Sequence, residues 1–453
     1  MPSLPNFAGG SYTPRSYRAD VERSVNLYPE LIESQAAAER GWLNRRPGLN
    51  IFAQGDGEAG EAIYADPVTG RVFLVTGIYF GEVLSDGTIT AIDTVAASTE
   101  TVPPCITSGP PGDGVFTHQI LITSGGLAYV FETDSDTFTA VTTNVITGLV
   151  QCGFMNGYFL LLNASGTLQW ALQDALTWDA LDIAARSTMQ DPWIRFAVLH
   201  QEVRLFGDHS AEAWTNTTDP AVPFAYIPGS LNEMGIAAPL TLQVYTNTIV
   251  WVGQNEQGQG IVWLADGYMP RRVSTHPVEL AISQSSQLAA ATACVIQQAG
   301  HTFYILRVPD LPTCWVYDLA TTLWSEWAVL ADDETDPWTW TPWPVRATTF
   351  GFDKTLCIGA TTYNVGTIED TGATGPIPLL AVSTFSDALD LHTWTTATTL
   401  RTITLTGGEE TGWSAATASG ASQRFAQIAT GADVDVYTAA SLGTPTAVGT
   451  VDS

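Results

Sequence analysis

The sequence predicts an all-β protein: a β-propeller of six or seven blades with an irregular N-terminal arm and a small C-terminal β module. The 453 residues are 45% apolar, which is enough to bury a sizeable core. Gly (40), Pro (25) and Trp (15) are all plentiful. Aromatic residues favour pleated sheets, whereas Gly and Pro favour turns, so this composition indicates many short strands joined by tight turns.

A strand–turn–strand unit recurs along the middle of the chain and predicts the propeller. Each unit has an apolar segment, a turn rich in Gly, Asp or Asn, and a second apolar segment. The seven first segments are residues 71–79, 119–123, 158–162, 202–207, 247–253, 301–307 and 355–359. Their uneven spacing of roughly 30–55 residues suits four-stranded blades, which must stack into a closed ring to bury their faces. The count is six or seven because N- and C-terminal strands can share one blade.

The segments on either side of these units differ from them in composition. Residues 1–50 are rich in turn residues and end on an arginine-rich stretch, so they are interpreted as an arm; residues 33–40 (ESQAAAER) favour one or two helical turns. The propeller is placed at residues 51–370. Residues 371–453 are rich in Thr, Ala, Ser and Gly and alternate in polarity at 401–406 and 433–437, which indicates a separate β module.

The charge is strongly negative and unevenly distributed. The chain has 46 acidic and 17 basic residues, a net charge of −29. Residues 1–50 hold six arginines against five acids, a net charge of +1, so the remainder carries −30. Such a surface does not bind DNA phosphates, because binding needs Lys and Arg to displace counterions. Composition alone favours solubility or adaptation to a salty medium; the functional alternative is a surface that lets nucleic acid slide past.

Cysteine usage and the N-terminus indicate a protein made in a cytoplasm. The five cysteines are widely spaced and contain no CxxC pair, so buried free thiols are expected rather than a disulfide framework or a zinc site. The first residues, MPSLPNFAGGSY, do not resemble a signal peptide. No apolar run reaches the ~18 residues of a membrane span.

Catalytic and cofactor-binding motifs are not found in the sequence. None of the six histidines forms an HExxH or HxH pair, and no GxSxG, P-loop or GxGxxG occurs. Propeller glycosidases are the main enzymatic alternative, but Ser85-Asp86-Gly87 and Thr177-Trp178-Asp179 are only fragments of their repeated motif. The prediction is a protein that is not an enzyme and holds neither a cofactor nor a metal.

A group of tryptophans leaves a carbohydrate-binding alternative open. Its members are Trp324, Trp327, Trp338, Trp340 and Trp343. They suit a sugar-stacking platform, but they equally suit a blade core or a subunit interface, where Trp is enriched. The core or interface interpretation is preferred.

Twelve short sequence motifs follow one another in a fixed order along the chain. The N-terminal motifs are 24–30 (SVNLYPE) and 46–49 (RPGL). Those of the middle are 176–182 (LTWDALD), 203–214 (VRLFGDHSAEAW), 223–224 (PF), 229–235 (GSLNEMG), 247–253 (NTIVWVG), 258–260 (GQG) and 270–275 (PRRVST). The last are 300–304 (GHTFY), 315–319 (WVYDL) and 324–327 (WSEW). In this order the motifs resemble a known family, the packaged-DNA stabilisation and tail-hub (nozzle) proteins of short-tailed bacteriophages. The resemblance spans about residues 20–330. It points to a shared scaffold rather than to a shared active site.

The resemblance implies a structural subunit of the virion tail. Six copies are expected to form a ring below the portal and adaptor (head-to-tail connector), assembled in the host cytoplasm. This ring would retain the packaged genome and conduct it during ejection. The expected partners are further copies of the chain, the adaptor, needle, fibre or spike proteins of the tail, and passing double-stranded DNA without specific binding. The alternative is a virion-associated propeller that binds or hydrolyses host-surface glycan.

Two groups of charged residues are the candidate sites. The arginines of the arm are predicted to form an attachment interface with acidic neighbours: Arg15, Arg18, Arg23, Arg45 and Arg46. Residues 331–343 (ADDETDPWTWTPW) begin with an acidic loop and continue into a Trp-rich segment. The acidic loop is predicted to line the channel or its rim through Asp332, Asp333, Glu334 and Asp336.

Overall fold

A computed structural model describes most of the chain in two compact units, residues 1–372 and residues 373–453. In the first unit the described residues are 10–12, 23–31, 41–53, 60–217, 219, 222–254, 260–330, 339–359 and 365–369. In the second unit the described residues are those of six short strands between residues 384 and 451.

The N-terminal segment contributes a hairpin and one blade strand. The strands β1 (Leu27–Leu31) and β2 (Gly41–Arg45) pair antiparallel, and β3 (Gly48–Ala53) follows them. β3 does not pair with the hairpin. It crosses to the last blade of the propeller, where it pairs antiparallel with the strand at Val365–Glu369.

The described residues of the first unit form seven antiparallel blades. The first blade contains β4 (Gly60–Ala65), β5 (Val72–Thr76), β6 (Tyr79–Val83) and β7 (Ile89–Thr94). The second blade contains β8 (Cys105–Ser108), β9 (Gln119–Ser124), β10 (Leu127–Glu132) and β11 (Thr137–Val141). The third blade contains β12 (Leu149–Met155), β13 (Tyr158–Asn163), β14 (Thr167–Leu172) and β15 (Ile183–Ala185).

The next two blades repeat this four-stranded meander. They contain β16 (Arg195–Leu199), β17 (Glu202–Phe206), β18 (Ala211–Asn216) and β19 (Phe224–Tyr226); and β20 (Gln243–Tyr245), β21 (Thr248–Gln254), β22 (Gly260–Asp266) and β23 (Met269–Arg272). The helix α1 (His276–Gln284) and two 3-10 turns (Pro239–Thr241, Leu288–Ala290) lie in the connections on either side of the fifth blade.

The sixth blade has a fifth strand, and the seventh is completed by the N-terminal strand β3. The sixth contains β24 (Thr292–Gln298), β25 (His301–Arg307), β26 (Cys314–Asp318), β27 (Trp324–Leu330) and β28 (Trp340–Pro342), and the seventh contains β29 (Val345–Gly351), β30 (Lys354–Gly359), β31 (Val365–Glu369) and β3. The prediction of a propeller of six or seven blades is therefore confirmed, with seven. The sharing of one blade by N- and C-terminal strands is also confirmed.

Apolar contact between neighbouring blades forms the core. Seven hydrophobic clusters occur among the described residues, one at each junction between neighbouring blades, including the junction of the seventh blade with the first. Between the first two blades, for example, Phe73 and Phe80 stack with a ring-centroid distance of 5.6 Å and Phe131 meets both edge-on. These residues are fully buried. Every blade thus covers both of its faces with its two neighbours.

Polar bonds join the first strands of neighbouring blades around the axis of the ring. These strands contact one another in succession and therefore line the central channel. Side chains on one strand bond the next strand at five junctions: Tyr64 Oη to Ser108 Oγ (2.7 Å), Gln151 Nε2 to Phe196 O (2.8 Å), Gln243 Nε2 to Ala293 O (2.8 Å), Thr348 Oγ1 to Val295 O (3.0 Å) and Ala65 N to Thr349 Oγ1 (3.0 Å). The channel wall is therefore polar, whereas the clusters between the blades that surround it are apolar.

The second unit contains two small sheets. β32 (Thr384–Phe385) pairs parallel with β34 (Thr404–Leu405). β33 (His392–Trp394), β35 (Ser422–Gln427), β36 (Val434–Ala440) and β37 (Thr446–Val451) form an antiparallel sheet in the order β33-β35-β36-β37. The predicted helical turns at residues 33–40 lie outside the described residues.

One glycine sets how closely the third and fourth blades approach. A Cβ atom added to Gly153, on β12, would lie 2.6 Å from Cε2 of Phe196 on β16. Phe196 is buried, so its ring has no free space into which to move. We expect Gly153→Ala to lower the free energy of unfolding by about 1–3 kcal/mol, which is the usual cost of overpacking a core.

Chemical denaturation followed by intrinsic fluorescence would measure this change. The matched control is the double variant Gly153→Ala with Phe196→Leu, in which the smaller side chain makes room for the new methyl group. The double variant should therefore lose less stability than the sum of its two single changes. Wild-type stability of Gly153→Ala would show that the two strands are not in contact here.

Candidate assembly surface at the N-terminal segment

The N-terminal segment lies along the outer edge of the sixth blade. Ser11 N donates to the carbonyl of Trp324 (2.6 Å), and Asn26 N donates to the carbonyl of Glu326 (2.7 Å). In return Glu326 N donates to the carbonyl of Ser24 (3.0 Å), and Val25 forms a parallel bridge with Glu326. We call residues 10–12 and 23–26 the strap. It pairs with the part of β27 that β28 leaves uncovered, since β28 pairs only with the last three residues of β27.

Asn26 joins the strap to the chain that leads into β3. Its backbone has a φ of 59°, a left-handed conformation that Asn tolerates better than most residues. Its side-chain Oδ1 accepts hydrogen bonds from Ala328 N (2.9 Å) and from Arg46 Nε (2.7 Å). A single amide side chain thereby connects the sixth blade, the strap and the residues just before the closing strand.

Two of the predicted interface arginines bind within their own chain. Arg23 forms a bidentate pair with Glu326 (Nη2–Oε2, 2.8 Å), and this hydrogen bond raises the pKa of Arg23. Arg46 donates to the carbonyl of Ala328 (3.3 Å) and lies 5.8 Å from the ring centroid of Trp343. Burial lowers the pKa of Arg46 to about 10. Both guanidinium groups therefore hold the strap on the propeller.

The third described arginine of this group, Arg45, is exposed on the β1–β2 hairpin. Arg15 and Arg18 lie outside the described residues. The hairpin is anchored by Tyr28, which is buried against His301 and Phe303 at ring-centroid distances of 5.1 and 4.9 Å. Beyond this anchor the side chains of Leu31 and Trp42 remain 45% and 48% exposed. The hairpin therefore presents a cation and two large apolar side chains to solvent, with Arg45 and Leu31 on one face and Trp42 on the other. We call these three residues the hairpin surface.

The predicted channel residues Asp332, Asp333, Glu334 and Asp336 also lie outside the described residues. The described chain stops at Leu330, the last residue of β27, and resumes at Thr339, just before β28. The acidic loop thus connects the two outermost strands of the sixth blade. Its ends are at the rim of the propeller and not at its axis.

Charged residues that the sequence interpretation missed lie at one mouth of the central channel. Register shifts at the starts of β4 and β29 leave Glu61 and Arg346 as bulged residues, and bulges re-aim side chains. Arg346 donates to the carbonyl of Glu100 (3.4 Å), and Arg195, at the start of β16, donates to the carbonyl of Val150 (3.0 Å). No motif marks these positions, because a bulge appears only when two strands are aligned.

Buried histidines in the described chain pair with aspartates of blade turns. His118 Nε2 lies 2.9 Å from Asp66 Oδ2, and His301 Nδ1 lies 2.7 Å from Asp318 Oδ2. Although burial works in the opposite direction, hydrogen bonds from Thr69 and His118 lower the pKa of Asp66. Each aspartate also accepts a backbone N–H of its own turn, so these pairs shape turns between strands.

A buried arginine network lies at the fourth blade. Arg186 Nη1 is 3.1 Å from Asp191 Oδ2, and its Nε is 3.3 Å from Glu212 Oε2. Glu212 also accepts the indole N–H groups of Trp193 (3.1 Å) and Trp214 (2.9 Å). Arg186 and Glu212 are fully buried, so this network secures the connection into the fourth blade and is closed to a ligand in solvent.

Three members of the tryptophan group belong to the core. Trp324, Trp327 and Trp343 are 2%, 0% and 0% exposed, and Trp327 and Trp343 meet edge-on with ring centroids 5.2 Å apart. Trp340 is partly buried, and Trp338 lies outside the described residues. Stacking on a sugar needs an exposed ring face, so the three buried side chains do not form a binding platform.

The described part of the chain contains neither a cluster of metal-binding side chains nor a membrane-spanning helix. No group of three or more His, Cys, Asp or Glu side chains within it is placed to hold a metal ion. No helix there has the length and apolar character to cross a bilayer. All five cysteines are free thiols.

Comparison with solved structures gives only distant likeness. The chain aligns with the extracellular domain of a putative one-component system of B. thetaiotaomicron at 9% identity and a TM-score of 0.46, covering 71% of this chain and 39% of that one. It also aligns with the mitotic checkpoint complex (10% identity, TM-score 0.45, covering 75% and 96%) and with the N-terminal domain of Nup159 (12% identity, TM-score 0.43, covering 76% and 98%). The chain spans about two fifths of the first of these proteins.

Comparison of the sequence with protein-family models identifies the family of this chain. No curated protein matches the sequence. The family model described as "Bacteriophage P22 Gp10, beta-propeller" matches residues 8–372, which include the strap, the hairpin and all seven blades. This chain therefore belongs to the bacteriophage P22 Gp10 family of β-propeller proteins.

Proposed function

We propose that this protein is a non-enzymatic subunit of the tail hub, or nozzle, of a short-tailed bacteriophage. Six copies form a ring below the portal and adaptor, and the ring retains the packaged DNA and conducts it during ejection. The observation that carries this proposal is the family match, which covers the complete propeller together with the N-terminal segment that closes it. Assembly in the host cytoplasm, contacts with the adaptor and with needle, fibre or spike proteins, and a place in the virion tail follow from the same proposal.

The geometry of the propeller supports a DNA path between subunits. The first strands of neighbouring blades contact one another and are joined by direct side-chain hydrogen bonds, so at the axis the blades are closer than the roughly 10 Å at which sheets pack. Side chains on both walls narrow this channel, and several of them bond across blade junctions. A duplex whose major groove alone is about 12 Å wide does not fit through this narrow opening. The conducting channel is therefore the lumen that a ring of subunits encloses.

The charged groups in the described residues support a structural role over glycan hydrolysis. An arginine triad for a sugar carboxylate needs three guanidinium groups exposed in one cleft. Arg186 is buried between two carboxylates, while Arg195 and Arg346 donate to backbone carbonyls. These arginines stabilise the propeller. We propose that the protein needs neither a cofactor nor a metal.

The proposed ring fixes the number of copies of this chain in each tail. A closed ring requires two different patches on each subunit, and the hub must match the rotational symmetry of its neighbours in the tail. We expect native mass spectrometry of assembled tails to give six copies of this chain. Free subunits that remain monomeric until they meet the adaptor are compatible with this result, whereas assembled tails with another copy number contradict it.

We propose that the hairpin surface of this chain binds an acidic surface of a neighbouring subunit or of the adaptor. Arg45 pairs with carboxylates while Trp42 supplies apolar area, as is common at interfaces. We expect Trp42→Ala and Arg45→Glu each to reduce incorporation into tails several-fold without changing the melting temperature. Quantitative gel analysis of purified tails measures incorporation.

Arg23→Gln is the matched contrast for these variants. It removes a charge from the same segment, but it leaves the buried Glu326 carboxylate without its bidentate partner. We expect it to lower the free energy of unfolding by about 1–2 kcal/mol, since Arg23 itself is half-exposed and partly screened. Normal incorporation of both hairpin variants would refute the proposed attachment site.

We propose that the acidic loop faces the lumen or its rim. This placement requires the rim of the sixth blade to turn toward the ring axis. An acidic wall keeps passing DNA hydrated, whereas a basic wall binds its phosphates. We expect Asp332, Asp333 and Asp336 changed together to Lys to slow DNA ejection, measured by dye release from single particles.

A charge-matched control separates a local effect from the change in net charge. Asp93, Asp134 and Glu233 are exposed and lie on other blades or connections. Their joint replacement by Lys changes the net charge by the same amount and should leave ejection unaltered. Equal ejection rates for the loop variant and the wild type would show that this loop does not face the channel.

A further inference from the structure

Two cysteines from neighbouring blades face each other at the channel wall. Cys105 is the first residue of β8, and Cys152 lies on β12, so both belong to innermost strands. Cys105 is only partly buried, while Cys152 is fully buried in the cluster between the second and third blades. They are 47 residues apart in sequence and meet only because the two blades pack together.

The two thiols have reciprocal contacts. Cys105 Sγ donates to the carbonyl of Cys152 at 3.3 Å, and Cys152 Sγ donates to the carbonyl of Cys105 at 3.2 Å. Each sulfur therefore points toward the other residue's backbone, so the two Cβ–Sγ bonds converge. Convergent side chains on closely spaced strands are the condition under which two cysteines can form a disulfide without a large movement of the backbone.

The surroundings make the two thiols unequal. A hydrogen bond from Cys152 and the nearby Arg195 guanidinium lower the pKa of Cys105, although burial opposes them. Burial raises the pKa of Cys152 well above its ordinary value. Cys105 is thus the better nucleophile, because the thiolate is the attacking form of a cysteine. Cys105 is also the less deeply buried residue of the pair.

We propose that Cys105 and Cys152 are a modification site: a thiol pair that is oxidised to an intramolecular disulfide by exchange with a small-molecule disulfide such as oxidised glutathione. The disulfide would link the second blade to the third. In a reducing cytoplasm the pair stays as thiols, and in an oxidising exterior it closes. The chemistry is independent of the proposed place of the protein in the tail.

The exchange balances in two steps. The Cys105 thiolate attacks one sulfur of the glutathione disulfide, forms a mixed disulfide and releases one glutathione thiolate, which takes up a proton. Cys152 then loses its proton and attacks the Cys105 sulfur, and the second glutathione leaves as a thiolate and is protonated. The two cysteines lose two electrons and two protons in all, and one glutathione disulfide becomes two glutathione thiols.

The other three cysteines provide an internal comparison. Cys294, Cys314 and Cys357 are buried together in the cluster between the sixth and seventh blades. Burial raises the pKa of each of them, to about 12 for Cys314 and Cys357. They are near one another but have neither the access nor the lowered pKa of Cys105, so they should remain reduced in the folded protein.

The test is oxidation of the folded full-length chain with oxidised glutathione at neutral pH, followed by alkylation, proteolysis and mass spectrometry. We expect one cross-linked peptide pair, which contains Cys105 and Cys152. The oxidised protein should melt about 2–5 °C higher than the reduced protein, because the cross-link restrains the unfolded chain. Reduction with dithiothreitol should reverse both changes.

Two single variants separate the roles of the thiols. In Cys152→Ser the resolving thiol is missing, so a glutathione adduct should accumulate on Cys105. In Cys105→Ser neither an adduct nor a rise in melting temperature is expected. Cys294→Ser is the control and should oxidise like the wild type. The proposal is overturned if the native protein gives no Cys105–Cys152 cross-link, or if the adduct forms on Cys152 in Cys105→Ser.

Discussion

The apolar faces of each blade are covered only by the neighbouring blades, and the remaining features of the propeller follow from this dependence. A four-stranded sheet with two apolar faces has no stable existence in water unless both faces are covered. Here seven clusters cover them in a circle. The last junction can be made only if the seventh blade is complete. That blade takes its outermost strand from residues Gly48–Ala53, so the two ends of the propeller sequence are hydrogen-bonded to each other.

The N-terminal segment extends this closure beyond one strand. Strand edges at the rim of a propeller carry unpaired backbone groups, which are a liability unless they are covered. The strap covers part of the edge of β27, and Arg23, Asn26 and Arg46 fix it there. Tyr28 adds its ring to the cluster between the sixth and seventh blades. Of the three arginines described in this segment, Arg23 and Arg46 are thus used within the subunit, whereas Arg45 is exposed to solvent.

The charges of the described residues fall into two classes with different physical roles. Buried carboxylates such as Asp66, Asp318 and Glu212 accept hydrogen bonds from His, Thr, Trp or backbone groups, and they shape turns and blade connections. They are stable in the interior because each is satisfied. Exposed carboxylates account for the acidic surface, and where they accept hydrogen bonds, as Asp113 and Asp310 do, they shape only local turns and connections. A net charge of −29 is therefore informative about solubility and about contact with DNA, but it does not identify the residues that face a channel.

The sequence predicted the fold class and a count of six or seven blades, and the signal came from the middle strands of the blades. Segments such as β9, β13 and β25 are continuous apolar runs because they are buried on both faces, and such runs are visible without any knowledge of their neighbours. The first and fourth strands of each blade have a weaker apolar pattern in the sequence. The first strand faces the polar channel, and the fourth strand faces solvent, as the largely exposed β7 and β11 show. The ordered motifs identified the family, because they repeat the turns and strands of a shared scaffold. Only the tertiary structure decided which arginines are free, that β3 closes the seventh blade, that three of the clustered tryptophans are core, and that Cys105 meets Cys152. Each of these depends on contacts between residues tens to hundreds of positions apart, and such contacts are set by how the blades pack and not by any local pattern.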